Sequence, residues 1–259
     1  MRPLVSIITV TFNACNTIAR CIESVAHQSY DKIEHIIIDG GSNDGTVDII
    51  KRYDRFITRL ISERDDGIFC AMNKGFDLSN GKIIAFLNAD DYYESGAVKR
   101  LVELIISKDL AFSYSSIRLL KKDMPDVILQ TKCKNLVDAL KLQEMPFPHP
   151  TLFVCRNAFL KVGKFDTRYR YSADYEFALK LLKANLPGEG LDEVLANYQI
   201  GGASSCQKAI YECFIIAIRH GKNPISGIIV FLYRSIKRQM SVIIPKIVKM
   251  VFNNMIKQF

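Results

Sequence analysis

Residues Ile83 to Leu87 form an unbroken apolar run that stops at Asn88-Ala89-Asp90-Asp91, and a new helix is expected from about Ser95. A short apolar run bounded by a turn reads as a buried parallel strand. In open α/β sheets, ligands collect outside the carboxyl ends of such strands, so the two aspartates stand where a site belongs. Adjacent carboxylates repel, and each raises the other's affinity for a proton unless a cation or hydrogen-bond donors compensate. The simplest compensator is a divalent cation, Mg²⁺ or Mn²⁺, held by one or two carboxylates together with the phosphates of a substrate. The plainer alternative is a turn whose aspartates cap the following helix.

The chain alternates around this run. Val5 to Phe12 is β-branched and apolar and ends at polar Asn13, after which Ile18, Cys21, Ile22 and Val25 recur with the spacing of one helix face. Glu34 to Asp39 is a second strand. It closes on Asp39-Gly40-Gly41-Ser42-Asn43-Asp44-Gly45-Thr46, where glycines permit tight turns and polar side chains can cap the helix expected through Val47 and Ile50. Phe56 to Ser62 is a weaker strand, and Ile68 to Lys74 a short helix closed by Gly75. Val98, Leu101, Val102 and Ile105 mark the helix after the central strand. This order predicts a mostly parallel sheet covered by helices on both faces.

The strict alternation ends near Leu110. Two strand-like runs, Ala111 to Ile117 and Val127 to Thr131, surround a charged turn at Lys121-Lys122-Asp123, and a rigid proline-rich loop follows from Met145 to Pro150. A helix is expected from about Asn157 to Val162. Phe177, Ala178, Leu181 and Leu182 form the apolar face of another helix, which places Asp174 in its first turn. An acid there favours the helix dipole whatever else it does.

A chain of 259 residues, 49% hydrophobic and 24% charged, can bury one large core and is neither disordered nor fibrous. Its seven cysteines show no CxxC spacing, so they read as reduced thiols rather than a disulfide or zinc framework. Together with an N-terminus that runs straight into a strand, this predicts an unsecreted, cytoplasmic protein. The net charge of +8 is localised: from Cys206 to Phe259 nine basic residues face Glu212 alone. An excess confined to the tail argues for an acidic partner of the tail, not for a basic domain. The longest apolar stretch there, Ile228 to Tyr233, is far short of the ~20 residues needed to span a bilayer. A basic amphipathic tail suits an anionic membrane surface, with a helical cap or an oligomer contact as alternatives. No aromatic interleaving or zinc-finger pattern accompanies the charge, so nucleic acid is not expected.

Five segments together resemble the family-2 glycosyltransferases, whose nucleotide-sugar-binding fold is called GT-A. They are Thr11-Phe12-Asn13, the Asp39–Thr46 loop, the stretch from Ser62 through Asp65, Asp66 and Asn73 to Gly75, Leu87-Asn88-Ala89-Asp90-Asp91, and Ser172-Ala173-Asp174-Tyr175-Glu176. The resemblance runs from about Pro3 to Ser205, and the motifs stand in the family's order at expected strand ends and helix starts. It implies a GT-A domain over residues 1–205, with a donor half to about residue 110 and an acceptor half from 111, followed by a basic helical tail over 206–259. It also implies an inverting transferase that moves a sugar from a nucleotide donor, a UDP-sugar foremost, to a glycan or lipid-linked saccharide in cell-surface polysaccharide assembly. Such an enzyme is expected at the cytoplasmic face of the inner membrane.

The resemblance also assigns residues. Thr11, Phe12, Asn13, Asp39, Arg64, Asp66, Asn73 and Asp90 line the donor nucleotide. Asp39 would meet the base, since an acceptor-only carboxylate suits an imide N–H. Asp91, with Asp90, would hold the Mn²⁺ or Mg²⁺ at the diphosphate, while Asn88 stands where many members carry the first aspartate of a D-x-D pattern. Asp174 matches the catalytic base, with His149 and Glu176 on the acceptor side. If Asp174 opens its helix, Glu176 points about 200° around from it. Two other readings stay open: a catalytically silent sugar-nucleotide-binding or assembly protein on the same fold, which Asn88 favours, and a nucleotidyltransferase. The loop after the first strand lacks the glycine and the basic residue usual in that last class. Gly201-Gly202-Ala203-Ser204-Ser205 reads either as a segment able to fold over bound donor or as a linker to the tail.

Overall fold

The computed structural model describes residues 2–121, 125–130, 136–202 and 206–256, with the side chains of residue 136 and of 241–256 left aside. Part of the charged turn at Lys121-Lys122-Asp123, the expected strand end at Thr131 and residues Ala203 to Ser205 therefore lie outside the described residues.

The first half follows the expected alternation. Strands β1 (Val5–Thr11), β2 (Ile33–Asp39), β3 (Arg59–Ser62) and β4 (Ile83–Asn88) pair in parallel in the order β3-β2-β1-β4. Helices α1 (Ile18–Ala26), α2 (Thr46–Arg52), α3 (Ile68–Leu78) and α4 (Ala97–Lys108) connect or follow them. Every residue of β1 is buried, as befits a central strand covered on both faces. Alternation sends Ile8 and Val10 to one face, with Ile36, Ile38, Ile84 and Phe86, and Val5 and Ile7 to the other, with Ile83, Ala85, Leu87 and the inner side of α4. Each such aliphatic side chain contributes roughly 1.5–3 kcal/mol by leaving water. On α1 the buried residues are Ile18, Cys21, Ile22 and Val25, the four that carried the helical spacing. Gly75 lets α3 press onto β1: a Cβ there would lie 2.3 Å from Ile8 Cγ2.

The second half is mixed. After the two-residue β5 (Tyr92–Tyr93) come β6 (Phe112–Leu120), β7 (Val127–Leu129), α5 (Leu136–Leu142), β8 (Phe153–Cys155), α6 (Arg156–Val162), α7 (Ala173–Lys183) and β9 (Gly188–Gln199). The sheet continues β4-β8-β6-β9-β5, with β7 off this path and paired antiparallel with Ile117 to Leu119 of β6. β8 runs antiparallel to both β4 and β6, β9 parallel to β6, and β5 antiparallel to β9. The result is a curled mixed sheet with helices on both faces. β9 has no expectation behind it in the sequence, because Gly188, Gly190, Asp192 and Glu193 interrupt any regular hydrophobic pattern.

Helices α8 (Gln207–Arg219) and α9 (Pro224–Ile256) complete the chain. Ala209, Ile210, Cys213, Ile216 and Ala217 bury α8 against the domain, and Glu212 accepts the backbone N–H groups of Arg170 and Tyr171 at 2.9 and 2.8 Å. The start of α9 is anchored by Gln143, whose side-chain amide donates to Gly227 O at 3.1 Å.

Candidate active site

Parallel pairing places the carboxyl ends of β1, β2, β3 and β4 on one edge, with Thr11 opposite Asp39, Asp39 opposite Ser62 and Val10 opposite Asn88. The loops beyond these strands knit together. Asn13 takes a left-handed φ of 50°, its N–H donates to Ser42 Oγ at 2.8 Å, and its side-chain oxygen accepts from Asn43 N at 3.0 Å. Ala14 N–H donates to Thr46 Oγ1 and Cys15 N–H to Asp44 Oδ2. Phe12 projects from this junction, 64% exposed.

Asp39 is wholly buried beneath the junction, and both its oxygens are engaged by neighbouring loops. Oδ2 accepts from Gly41 N, Ser42 N and Ser62 Oγ at 3.1, 3.0 and 2.7 Å, and Oδ1 accepts from Ser42 Oγ. These are loop-capping contacts. In the next loop Asp65 accepts from Gly67 N at 2.8 Å and lies against Gly40, whereas Arg64 and Asp66 are exposed. Asn73 points elsewhere: its amide donates to Phe165 O at 2.9 Å and accepts from Phe165 N at 3.1 Å, a reciprocal pair that ties α3 to the loop before α7.

At the end of β4 the polar groups are poorly satisfied. Thr11 Oγ1, Asn88 Oδ1 and Asp91 Oδ2 are all buried without a hydrogen-bond partner. Asp91 is 1% exposed; its Oδ1 accepts from Gln199 N at 3.0 Å. Burial, and then the Asp90 charge, push the Asp91 carboxyl well above the usual carboxylate range, against the pull of the Gln199 N–H and the Asn88 side chain. Asp90 is less enclosed and is also raised by burial. Arg20 donates to Asp90 O at 3.3 Å while its guanidinium stacks 4.2 Å over the Tyr92 ring. A Cβ on Gly202 would stand 3.9 Å from Asp90 Oδ2, so Gly202 lies near this carboxylate.

Among the described residues no three His, Cys, Asp or Glu side chains gather as a self-sufficient metal centre. Asp90 and the unpartnered Asp91 oxygen nonetheless fit a divalent cation whose remaining ligands come from a phosphate-bearing substrate, because such a cation would offset the burial of two adjacent carboxylates. Asp91 is the more enclosed of the two, so Asp90 is the one more open to such a ligand.

Asp174 sits at the start of α7 and lines a cavity of about 330 Å³ with His149, Tyr171, Tyr198, Phe147 and Arg234 among its walls. Asp174 Oδ2 lies 4.0 Å from His149 Nδ1, and Oδ1 accepts from Tyr175 N at 2.8 Å. Burial raises the Asp174 carboxyl, with His149 opposing; burial lowers the His149 imidazole, with Asp174 opposing. His149 Nε2 is buried and unpartnered, and its ring stacks on Phe86, centroids 6.4 Å apart. Phe86 also packs edge-on to Phe165 in the aromatic cluster beneath the cavity. This arrangement can take a proton: a carboxylate of raised basicity beside an imidazole of lowered basicity in a largely apolar space.

Glu176, expected near the acceptor, is not brought there. It turns away from Asp174 as helical geometry requires and meets Lys180 Nζ at 3.1 Å and His220 Nε2 at 3.8 Å. Three residues went unnoticed in the sequence. Tyr198 and Gln199, adjacent on β9, face the Asp174 cavity and Asp91 respectively, and Arg234 reaches the cavity from α9. Only the basic count of the tail hinted at Arg234.

The family model "Glycosyl transferase family 2" matches residues 6–165. A PGL/p-HBAD biosynthesis glycosyltransferase of Mycobacterium tuberculosis is 31% identical over 216 residues, which cover 78% of this chain and 80% of that protein. The putative teichuronic acid biosynthesis glycosyltransferase TuaG of Bacillus subtilis is 29% identical over 209 residues, 77% and 80% of the two chains. Among solved structures, residues 1–349 of S. aureus TarS with UDP-GlcNAc superpose with a TM-score of 0.67 at 15% identity, over 92% of this chain and 73% of that one. The chain spans 44% of the longer TarS structure. The mannosyltransferase PcManGT of Pyrobaculum calidifontis, in complex with GDP-Man and Mn²⁺, gives 0.65 at 18%, over 89% and 68%. At these identities the likeness is one of fold, the expected GT-A arrangement.

Proposed function

The chain belongs to glycosyl transferase family 2, and from that premise we propose that it transfers a sugar from a UDP-sugar to a hydroxyl of a glycan or lipid-linked saccharide, with inversion, in the assembly of a cell-surface polysaccharide or glycolipid. The observation that carries this reading is the unpartnered Oδ2 of buried Asp91 at the carboxyl end of β4, joined through Gln199 and Tyr198 to the cavity that Asp174 lines. The mycobacterial relative is named for PGL/p-HBAD biosynthesis and the Bacillus relative for teichuronic acid biosynthesis, and TarS residues 1–349 form a complex with UDP-GlcNAc.

In this proposal residues 1–205 form the catalytic unit, and the 206–259 tail is a cap that meets an anionic membrane surface on the cytoplasmic side. Thr11, Phe12 and Asn13 border the donor, with Arg64 and Asp66 around the base and ribose and buried Asp39 bracing the loops beneath them. Asp90 and Asp91 hold Mn²⁺ or Mg²⁺ against the donor diphosphate. That cation supplies charge stabilisation for the departing nucleoside diphosphate. Asp174 accepts the proton of the attacking hydroxyl as the glycosidic bond forms. The other carboxylate lining the cavity, Glu144, is paired with Arg234 Nε at 3.6 Å, which leaves Asp174 as a single base, and one base suits direct displacement, which inverts the anomeric carbon. His149 holds its neutral ring beside Asp174 and keeps that face of the cavity apolar.

Calorimetric titration of UDP, with Mn²⁺ and then with the metal chelated, tests the donor half. Metal-dependent binding that disappears in Asp91→Ala is expected; binding indifferent to both changes sinks the assignment. Asn88, which leaves one carboxylate fewer at the site, is the one observation favouring a silent scaffold. That reading predicts that Asp174→Asn leaves function intact. A nucleotidyltransferase would release pyrophosphate instead of nucleoside diphosphate.

A further inference from the structure

A surface helix normally turns its apolar stripe inward, and α9 does the reverse. Its inward side, over the described side chains, carries buried Gly227, part-buried Phe231 against Phe214, Arg234 beside Gln143 and Glu144, and Ser235 bonded to Gln207. Its outward side carries Ile225, Ile228, Ile229, Leu232, Tyr233, Ile236 and Met240, each between 47% and 72% exposed. Steps of three and four place these on one broad face, with Leu232 and Ile236 each about 200° from Arg234. Exposed aliphatic side chains occur singly on any protein, but a continuous stripe of this length marks a surface that meets something.

The charge identifies what it meets. The helix Pro224–Ile256 contains no acid and carries Arg234, Lys237, Arg238, Lys246 and Lys249; Lys237 is exposed beside the stripe, and Lys208 and Arg219 are exposed on α8. A second copy of the same helix would bring like charges together, which is unfavourable. Anionic headgroups complement them. Tyr233 and Tyr211, 63% and 54% exposed, are of the amphipathic type enriched at membrane–water interfaces. Among the described residues no helix is long and apolar enough to cross a bilayer, so the helix would lie along the surface.

We propose that the outward face of α9, from Ile225 to Met240, is the membrane-docking element and seats in the headgroup region of an anionic bilayer. Because Arg234, on the opposite side of the same helix, walls the Asp174 cavity, docking holds that cavity about one helix diameter, ~10 Å, beneath the lipid surface. Leu129 and Leu142, which also line the cavity, are 39% and 40% exposed and give it an apolar rim. The meaning of this placement rests on the reading of the cavity as the acceptor site; the docking itself does not.

Flotation of the full chain with vesicles of phosphatidylcholine and phosphatidylglycerol, and with phosphatidylcholine alone, tests the proposal. The wild type is expected to float with the anionic vesicles, less so at high salt, and hardly with the neutral ones. The triple variant Ile229→Ser, Leu232→Ser, Ile236→Ser changes exposed positions only and is expected to lose roughly tenfold or more in partitioning. Leu232→Glu alone gives the same direction if the triple variant folds poorly. Equal flotation of wild type and variants overturns the proposal, as does equal binding to neutral vesicles. Light scattering that shows a wild-type dimer converted to monomer by the variant also overturns it, since a second copy then covers the stripe. UDP titration on the same samples separates the two readings: vesicle binding without UDP binding spares the docking face and sinks the transferase reading, and the converse does the opposite.

Discussion

Gln199 donates its backbone N–H to Asp91 Oδ1 at 3.0 Å across 108 residues of sequence. The bond stitches the end of β9 to the end of β4, and the residue before Gln199, Tyr198, lines the cavity of Asp174. The joining of the Asp91 region to the Asp174 cavity therefore depends on the strand that the sequence least announces.

Asp91→Asn tests what the buried carboxylate costs. Its folded-state affinity for a proton is raised, so the folded chain holds that proton to higher pH than the unfolded chain does. The penalty on folding is absent below the unfolded value of about 4 and grows as pH rises above it. In metal-free buffer Asp91→Asn is expected to be more stable than wild type near neutral pH, by an amount on the order of 1–2 kcal/mol, and indistinguishable from it at acid pH. Thermal melts at several pH values measure this. A less stable variant at neutral pH would mean the carboxylate is compensated within the protein.

If Asp174 takes the acceptor proton as proposed, Asp174→Asn is expected to lower turnover about 10²- to 10⁴-fold with UDP affinity unchanged, because the base is lost and no donor contact with it. In wild type the acid limb of kcat/KM should fall above pH 4, since burial raises this carboxyl. On acidification the His149 imidazole takes up a proton and its charge opposes the rise, so His149→Phe removes that charge and should move the limb further up. An unmoved limb would show that the 4.0 Å pair is not coupled in the working enzyme.

Asn73→Ala removes both hydrogen bonds to Phe165 and leaves two backbone groups of a part-buried loop unpaired. A loss of roughly 1–3 kcal/mol of stability is expected, read by urea denaturation, with UDP affinity within about twofold of wild type. A large loss of UDP affinity with stability intact would restore the donor-contact role implied by the family resemblance.

Gly75→Ala should destabilise by about 1–3 kcal/mol, because the new Cβ meets Ile8 Cγ2 at 2.3 Å in a fully packed layer. Unfolding curves that superpose on wild type would mean that α3 can lift from β1 without loss.

Much of this protein was legible along the chain because its first half obeys local rules. Apolar runs bounded by turns located β1, β2 and β4 and period-3.6 patterns located α1 and α4, and the carboxyl ends of those parallel strands had to share one edge, so Asn13, Asp39 and Asp90–Asp91 were bound to be neighbours. Helical arithmetic separated Asp174 from Glu176 before any coordinates did. The rest depended on contacts that no local pattern encodes. Whether Asp39 spends its oxygens on its own loops, whether Asn73 clamps Phe165, and which of two adjacent aspartates is enclosed all follow from long-range packing and desolvation. The same holds for α9. The sequence by itself determined an apolar and basic helix at the chain's end, but only the tertiary structure decided that Arg234 turns inward to the cavity while the isoleucines face water, because hydrophobic periodicity marks a face without saying what it faces.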